Sequence, residues 1–198
     1  LHLSLRRQRQ MCIRDSIYTV VLALIGITST QAQRMLPGQK GIEISSGTLS
    51  DEKPARNYFL NIGLTVNAKH GNYQLWALEY VHQYYRYKSI NIPQETYTAE
   101  GGYSFYLFGT PVKSVSVNLG ITGVVGYETV NRDEQILYDG AKILYDDEVI
   151  YGGGGRISIE AYLSDRFVFF VQGRAKMMWG TPLEKFRPAT GVGLRFNL

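Results

Sequence analysis

From Gly41 to Leu198 the sequence alternates apolar and polar residues with a period of two, in eight successive runs. Successive side chains of a strand point to opposite faces, so each such run is a strand with one apolar face. The runs are Gly41–Ser46, Asn57–Asn67, Tyr73–Lys88, Glu95–Phe108, Val115–Glu128, Tyr151–Leu163, Phe167–Trp179 and Ala189–Leu198. In the second, Leu60, Ile62, Leu64 and Val66 oppose Asn61, Gly63, Thr65 and Asn67. No long pattern of helical period competes, which predicts an all-β fold.

Short and long connections alternate between these runs. "AKHGN", "GTPVK" and "SDR" are short; "TLSDEKPAR", "KSINIPQE", "VNRDEQILYDGAKILYDDEV" and "GTPLEKFRP" are longer or richer in charge. An even number of strands of about ten residues, joined in this way, predicts an eight-stranded antiparallel up-and-down outer-membrane β-barrel with short periplasmic turns and longer external loops. Aromatic residues near the run ends (Tyr58, Tyr73, Tyr84, Tyr97, Phe108, Tyr127, Tyr151, Phe167 and Trp179) fit the two interfacial girdles of such a barrel. A soluble lipocalin-like barrel would place the same apolar parity inside. The polar parity argues against it: it is rich in Gly, Ser, Thr and Asn and poor in Lys, unlike a solvated surface.

The N-terminal segment has its own logic. Arg6, Arg7, Arg9 and Arg14 precede an apolar run from Ile17 to Ile27, followed by small and polar residues to Ala32. This order predicts a secretory signal peptide over 1–32, cleaved between Ala32 and Gln33, and a single barrel domain over 33–198. The stretch 1–16 reads as sequencing-adaptor read-through, which sets the native start near Ile17. The whole chain carries a net charge of +4, but segment 1–32 holds 4 of its 21 basic and 1 of its 17 acidic residues. The remainder has 17 and 16, a net +1. That leaves no basic bias for nucleic acid, and no direct nucleic-acid binding is expected. The single Cys, Cys12, falls in the removed segment, so disulfide and thiol chemistry are not expected of the exported domain.

The last run, "TGVGLRFNL", must pair with the first to leave no open edge in lipid. Gly193, Phe196 and Leu198 resemble the C-terminal sorting signal of bacterial outer-membrane proteins, with Leu in place of the usual final Phe. If the apolar parity faces lipid, the lumen receives Glu43, Glu79, Glu100, Glu128, Glu160, Arg156, Arg174, Lys176 and Arg195. Eight-stranded barrels have interiors just filled by side chains, and buried charges there must pair. The expectation is an ion-paired plug rather than a conducting pore.

Other candidates carry less. Gly152–Gly155 lacks the Lys-Ser/Thr of a phosphate loop and suits a bend, or an aromatic ring laid over bare backbone. His82 with Ser89 or Ser104 is the one pairing that suggests a barrel acyl hydrolase, and parity or height separates each pair. His70 falls in a short turn. Asp139, Asp146, Asp147 and Glu148 lack the spacing of a calcium loop, and the repeated "ILYD" around Asp139-Gly140 reads as a hairpin tip. Catalytic residues, metal and cofactor are therefore expected to be absent.

The phrases "RMLPGQKGIEIS", "NYFLNIGLTVNAKHGNYQLWALEY", "YRYKSINIPQETYTAEGGYSFYLFG" and "GLRFNL" resemble the conjugal transfer protein TraO family of Bacteroides-type conjugative transposons. The likeness extends from about Ile17 to Leu198. It implies a non-enzymatic, structural part in the apparatus that mates donor and recipient cells, with outer-membrane lipid and other conjugative transfer proteins as partners. The alternative is a general small outer-membrane barrel, adhesin-like or lipid-modifying.

Overall fold

A computed structural model describes residues 36–49, 56–87, 90–110, 114–130, 148–181 and 184–198. Side chains are described within these except for 85–87, 90–91 and Val130. Ala32, Gln33, Ser89, Asp139, Gly140, Asp146 and Asp147 lie outside the described residues.

Eight strands form a closed barrel in sequence order: β1 (Lys40–Leu49), β2 (Tyr58–Asn67), β3 (Tyr73–Tyr87), β4 (Ile90–Gly109), β5 (Val115–Val130), β6 (Glu148–Tyr162), β7 (Phe167–Trp179) and β8 (Phe186–Asn197). All eight pairings are antiparallel. The fold is thus the closed up-and-down barrel that the alternation implies. The β1–β8 pairing runs from Gly41 opposite Asn197 to Leu49 opposite Ala189, so no edge is left at the seam.

One end of the barrel, the turn end, gathers the start of β1, the end of β8 and the connections β2–β3, β4–β5 and β6–β7. The β2–β3 connection holds one short 3-10 turn, Lys69–Gly71, with His70 at φ 64° and Gly71 at φ 83°. The left-handed region is cheap for Gly and tolerated by His, so the chain reverses there within a few residues. At the same end Asn197 N donates to Arg166 O at 2.7 Å and Leu198 N to Lys40 O at 2.8 Å. The last residues are therefore tied to both neighbouring strands.

The opposite, loop end differs from expectation in one place. "KSINIPQE" is not a long loop: β3 and β4 pair as far as Tyr87 opposite Ile90, and the connection shrinks to residues 88–89. Pro93 reads as a strand breaker, but β5 begins to pair only at Gln94. Among the described residues no β5 partner stands opposite Pro93, so its missing N–H breaks no described ladder. Pro188 is placed the same way, since among the described residues β1 pairs with β8 only from Ala189 onward.

Exposure is inverted relative to a soluble protein. Outward residues include Ile62, 53% exposed, and Leu78, 63% exposed, while Glu43 and Glu160 inside are fully buried. In water each such apolar side chain would forgo about 1.5–3 kcal/mol of burial; in hydrocarbon it forgoes nothing. The parity that alternation alone leaves open is therefore settled as apolar outward. Two small buried apolar clusters accompany the lumen charges, Tyr162 with Val168 at the turn end and Val124 with Ile150 and Met178 toward the loop end.

Candidate functional site: the charged lumen and the terminal strand

The structure brings all nine charges singled out in the sequence into the lumen and stacks them in three layers. Nearest the turn end, Glu43 on β1 and Arg195 on β8 are direct cross-strand partners. Arg195 Nη2 donates to Glu43 Oε2 at 3.0 Å, and Nη1 donates to Glu160 Oε2 at 2.9 Å. Arg156 Nη1 donates to Glu43 Oε1 at 2.9 Å, and its Nη2 to the Tyr73 hydroxyl, also at 2.9 Å. That hydroxyl donates in turn to Glu160 Oε1 at 2.7 Å. The Arg195 guanidinium lies over the Tyr73 ring, 4.2 Å from its centroid. Two acids and two bases thus close on themselves around one tyrosine.

In the middle layer Lys176 Nζ donates to Glu79 Oε1 at 2.6 Å and also pairs with Glu100. Arg174 pairs with Glu79 from the other side. Its guanidinium rests 3.6 Å from the Phe59 ring centroid, so the charge is packed as well as paired. Gly154 leaves the room this layer needs. A Cβ there would come 2.8 Å from Thr122 Oγ1 and 3.4 Å from Lys176 Cγ. The Gly152–Gly155 run therefore does not seat an aromatic ring; its two inward positions face Lys176, Thr122 and Met178.

The layer nearest the loop end was only half legible. Glu128 accepts from Thr181 Oγ1 at 2.8 Å and pairs with Arg187 Nη1 at 2.7 Å. Arg187 is absent from the nine because the eighth run starts at Ala189 by alternation, whereas β8 starts at Phe186. It shares the inward parity of Arg195, which was the available signal. With it, the lumen holds five acids and five bases among the described residues, and the formal charge cancels. Tyr73 is a second correction. It is not a girdle residue but fully buried at the centre of the first layer. The other eight girdle residues named in the sequence are outward and exposed.

The candidate acyl-hydrolase pair does not assemble. Ser104 is inward, opposite Tyr73 at the turn end, whereas His82 is outward, toward the loop end and opposite Glu95. Glu148 is exposed at the first position of β6. In the terminal strand Gly193 is inward and a Cβ on it would collide with the Phe170 ring. Phe196 is outward against Phe167, with ring centroids 5.1 Å apart, and Leu198 is outward and exposed.

A lumen whose charges are paired and cancel makes a direct electrical prediction. In planar bilayers the purified barrel is expected to show no stable conductance. A large ion-selective pore in the unmodified protein would refute the plug.

Comparison with known proteins agrees with this architecture. Neisserial surface protein A is similar in structure, with a TM-score of 0.51 and 14% identity over 81% of this chain and 95% of that one. Ail, the attachment invasion locus protein of Yersinia pestis, gives a TM-score of 0.52 and 9% identity over 82% of this chain and 100% of that one. At such identities the likeness is one of fold. No curated protein matches in sequence. The family described as conjugative transposon protein TraO matches residues 36–198, from just before β1 to the last residue. The match thus takes in all eight strands and every lumen charge, and the chain belongs to the TraO family of conjugative transposon proteins.

Proposed function

We propose that the protein is a non-conducting outer-membrane anchor in the conjugative transfer apparatus, working as a scaffold rather than as an enzyme. The inverted exposure of the barrel, together with family membership, carries this reading. An apolar outer face with an ion-paired interior suits a lipid bilayer and nothing in water. The turn end then faces the periplasm, where other transfer proteins are the expected partners, and the loop end faces outward. Residues 1–32 act as the export signal, with cleavage after Ala32, and Gly193, Phe196 and Leu198 act as the sorting signal. The lumen carboxylates are engaged by bases within their own layers, and among the described residues no imidazole stands beside them. His82 and Ser104, on opposite faces, weigh against the lipid-modifying alternative.

The mating assay tests this. Deleting the gene from its element is expected to reduce transfer to recipients while host growth and excision of the element persist, because an outer-membrane barrel does not reach cytoplasmic DNA processing. Unchanged transfer in the deletion strain would remove the structural role.

A further inference from the structure

His82 and Glu95 stand on the outward face, among the tyrosines Tyr58, Tyr80, Tyr84 and Tyr97, with Thr129 opposite Glu95 on β5. They are direct cross-strand partners on β3 and β4, and Tyr58 on β2 is opposite His82. His82 is nevertheless only 8% exposed. The rings of Tyr58 and Tyr84 wall it in, with centroids 5.5 and 4.8 Å away, and the Tyr80 hydroxyl lies 3.4 Å from Nδ1. Glu95 Oε1 is 3.9 Å from the same nitrogen, and Glu95 Oε2 accepts from the Tyr97 hydroxyl at 3.2 Å.

The height of this group follows from the length of β4. Outward positions from Tyr97 to Leu107 carry no charge. Ten residue steps span about 33 Å along a strand, or about 25 Å along the membrane normal at a tilt of roughly 40°. That is the height of the apolar band. Glu95 lies one pleat beyond it, on the loop side, in the headgroup layer. The group faces sideways into the membrane, on the parity of Leu60 and Leu78, rather than upward into the medium.

We propose that this face of β2–β4 binds the saccharide headgroup of a glycolipid in the external leaflet. Tyrosine rings offer flat apolar faces for the C–H side of a sugar ring. A carboxylate, an imidazole and phenolic hydroxyls beside them offer acceptors and donors for sugar hydroxyls. Held by one another, they lose little freedom on binding. The sideways aim selects a lipid of the surrounding leaflet over a glycan of another cell. This inference rests on the outer-membrane orientation proposed above.

The test uses the purified barrel in detergent micelles, mixed separately with lipopolysaccharide, dephosphorylated lipopolysaccharide and phosphatidylglycerol, with retained lipid read by native mass spectrometry. Both glycolipids are expected to be retained about ten-fold over phosphatidylglycerol. The double variant Glu95→Gln, Tyr97→Phe is expected to lose that preference while still migrating as a folded, heat-modifiable band. The wild-type barrel supplies a second readout, since the His82 ring resonances should shift with dephosphorylated glycolipid and not with phosphatidylglycerol. Equal retention of all three lipids, retention of the phosphorylated glycolipid alone, full retention by the folded double variant, or unmoved His82 resonances would each overturn the proposal. The assay involves no cells and no DNA transfer, so its failure is distinct from failure of the anchor in mating.

Discussion

Arg195→Ala is expected to be the most destabilising single change in the lumen. Its guanidinium is 2% exposed and serves two fully buried carboxylates, Glu43 and Glu160, on two different strands. Alanine leaves Arg156 to hold Glu43, but leaves Glu160 only neutral hydroxyl donors among the described residues, from Tyr73, Ser158 and Tyr162. Breaking a buried pair costs roughly 3–5 kcal/mol, because the surviving charge keeps its desolvation penalty. Domains are stable by only about 5–15 kcal/mol, so the loss would be read easily as a lower urea midpoint of the folded barrel in detergent. Arg187→Ala should cost much less. Arg187 is more exposed and pairs with one carboxylate among the described residues, Glu128, which keeps Thr181 as a donor. Adding Glu160→Gln to Arg195→Ala should restore part of the loss by removing the orphaned charge, a coupling that a double-mutant cycle measures. A loss below about 1 kcal/mol for Arg195→Ala would mean that the first layer is hydrated, contrary to a dry plug.

The lumen was legible because parity and charge are both local properties. Glu43, Arg156, Glu160 and Arg195 can each be assigned to one face without knowing which strand each faces. What parity could not supply was depth and register. Arg187 was missed because Pro188 and Phe186 blur the start of β8, and Pro93 hid the projecting hairpin for the same reason. In both places the proline lies just past the last described pair with the neighbouring strand, a fact of tertiary pairing. Tyr73 shares the parity of Glu79 and follows the short "AKHGN" turn, but an aromatic at a run end reads equally as a girdle residue; the hydrogen bond of its hydroxyl to Glu160 places it in the first layer. His82 shows the same limit in another form. Its outward parity was readable, but the tyrosine walls come from β2 and β3, and Glu95 from β4.

Changing Phe196 and Leu198 together to Asp is expected to abolish assembly, and the physical reason can be separated from simple insolubility in lipid. Both residues are outward at the turn end, where Phe196 packs on Phe167 and Leu198 is exposed at the rim. Charges on the lipid face cost only about 0–1 kcal/mol near the interface, with Asp and Glu milder than Lys and Arg, against about 2–4 kcal/mol for a base at the midplane. Losing the ring pair adds about 0.5–1.5 kcal/mol. These sums are too small to unfold a barrel whose seam is hydrogen-bonded from Gly41 to Leu49. Failure of the double variant to reach the outer membrane would therefore support the proposed sorting signal rather than a bilayer effect. Leu194→Asp is the control. It places a carboxylate deeper on the same outward parity, at a position 52% exposed, while leaving Gly193, Phe196 and Leu198 intact. It should assemble into a less stable but heat-modifiable barrel and support transfer. Equal assembly of the two variants would show that the terminal residues are read only by the membrane.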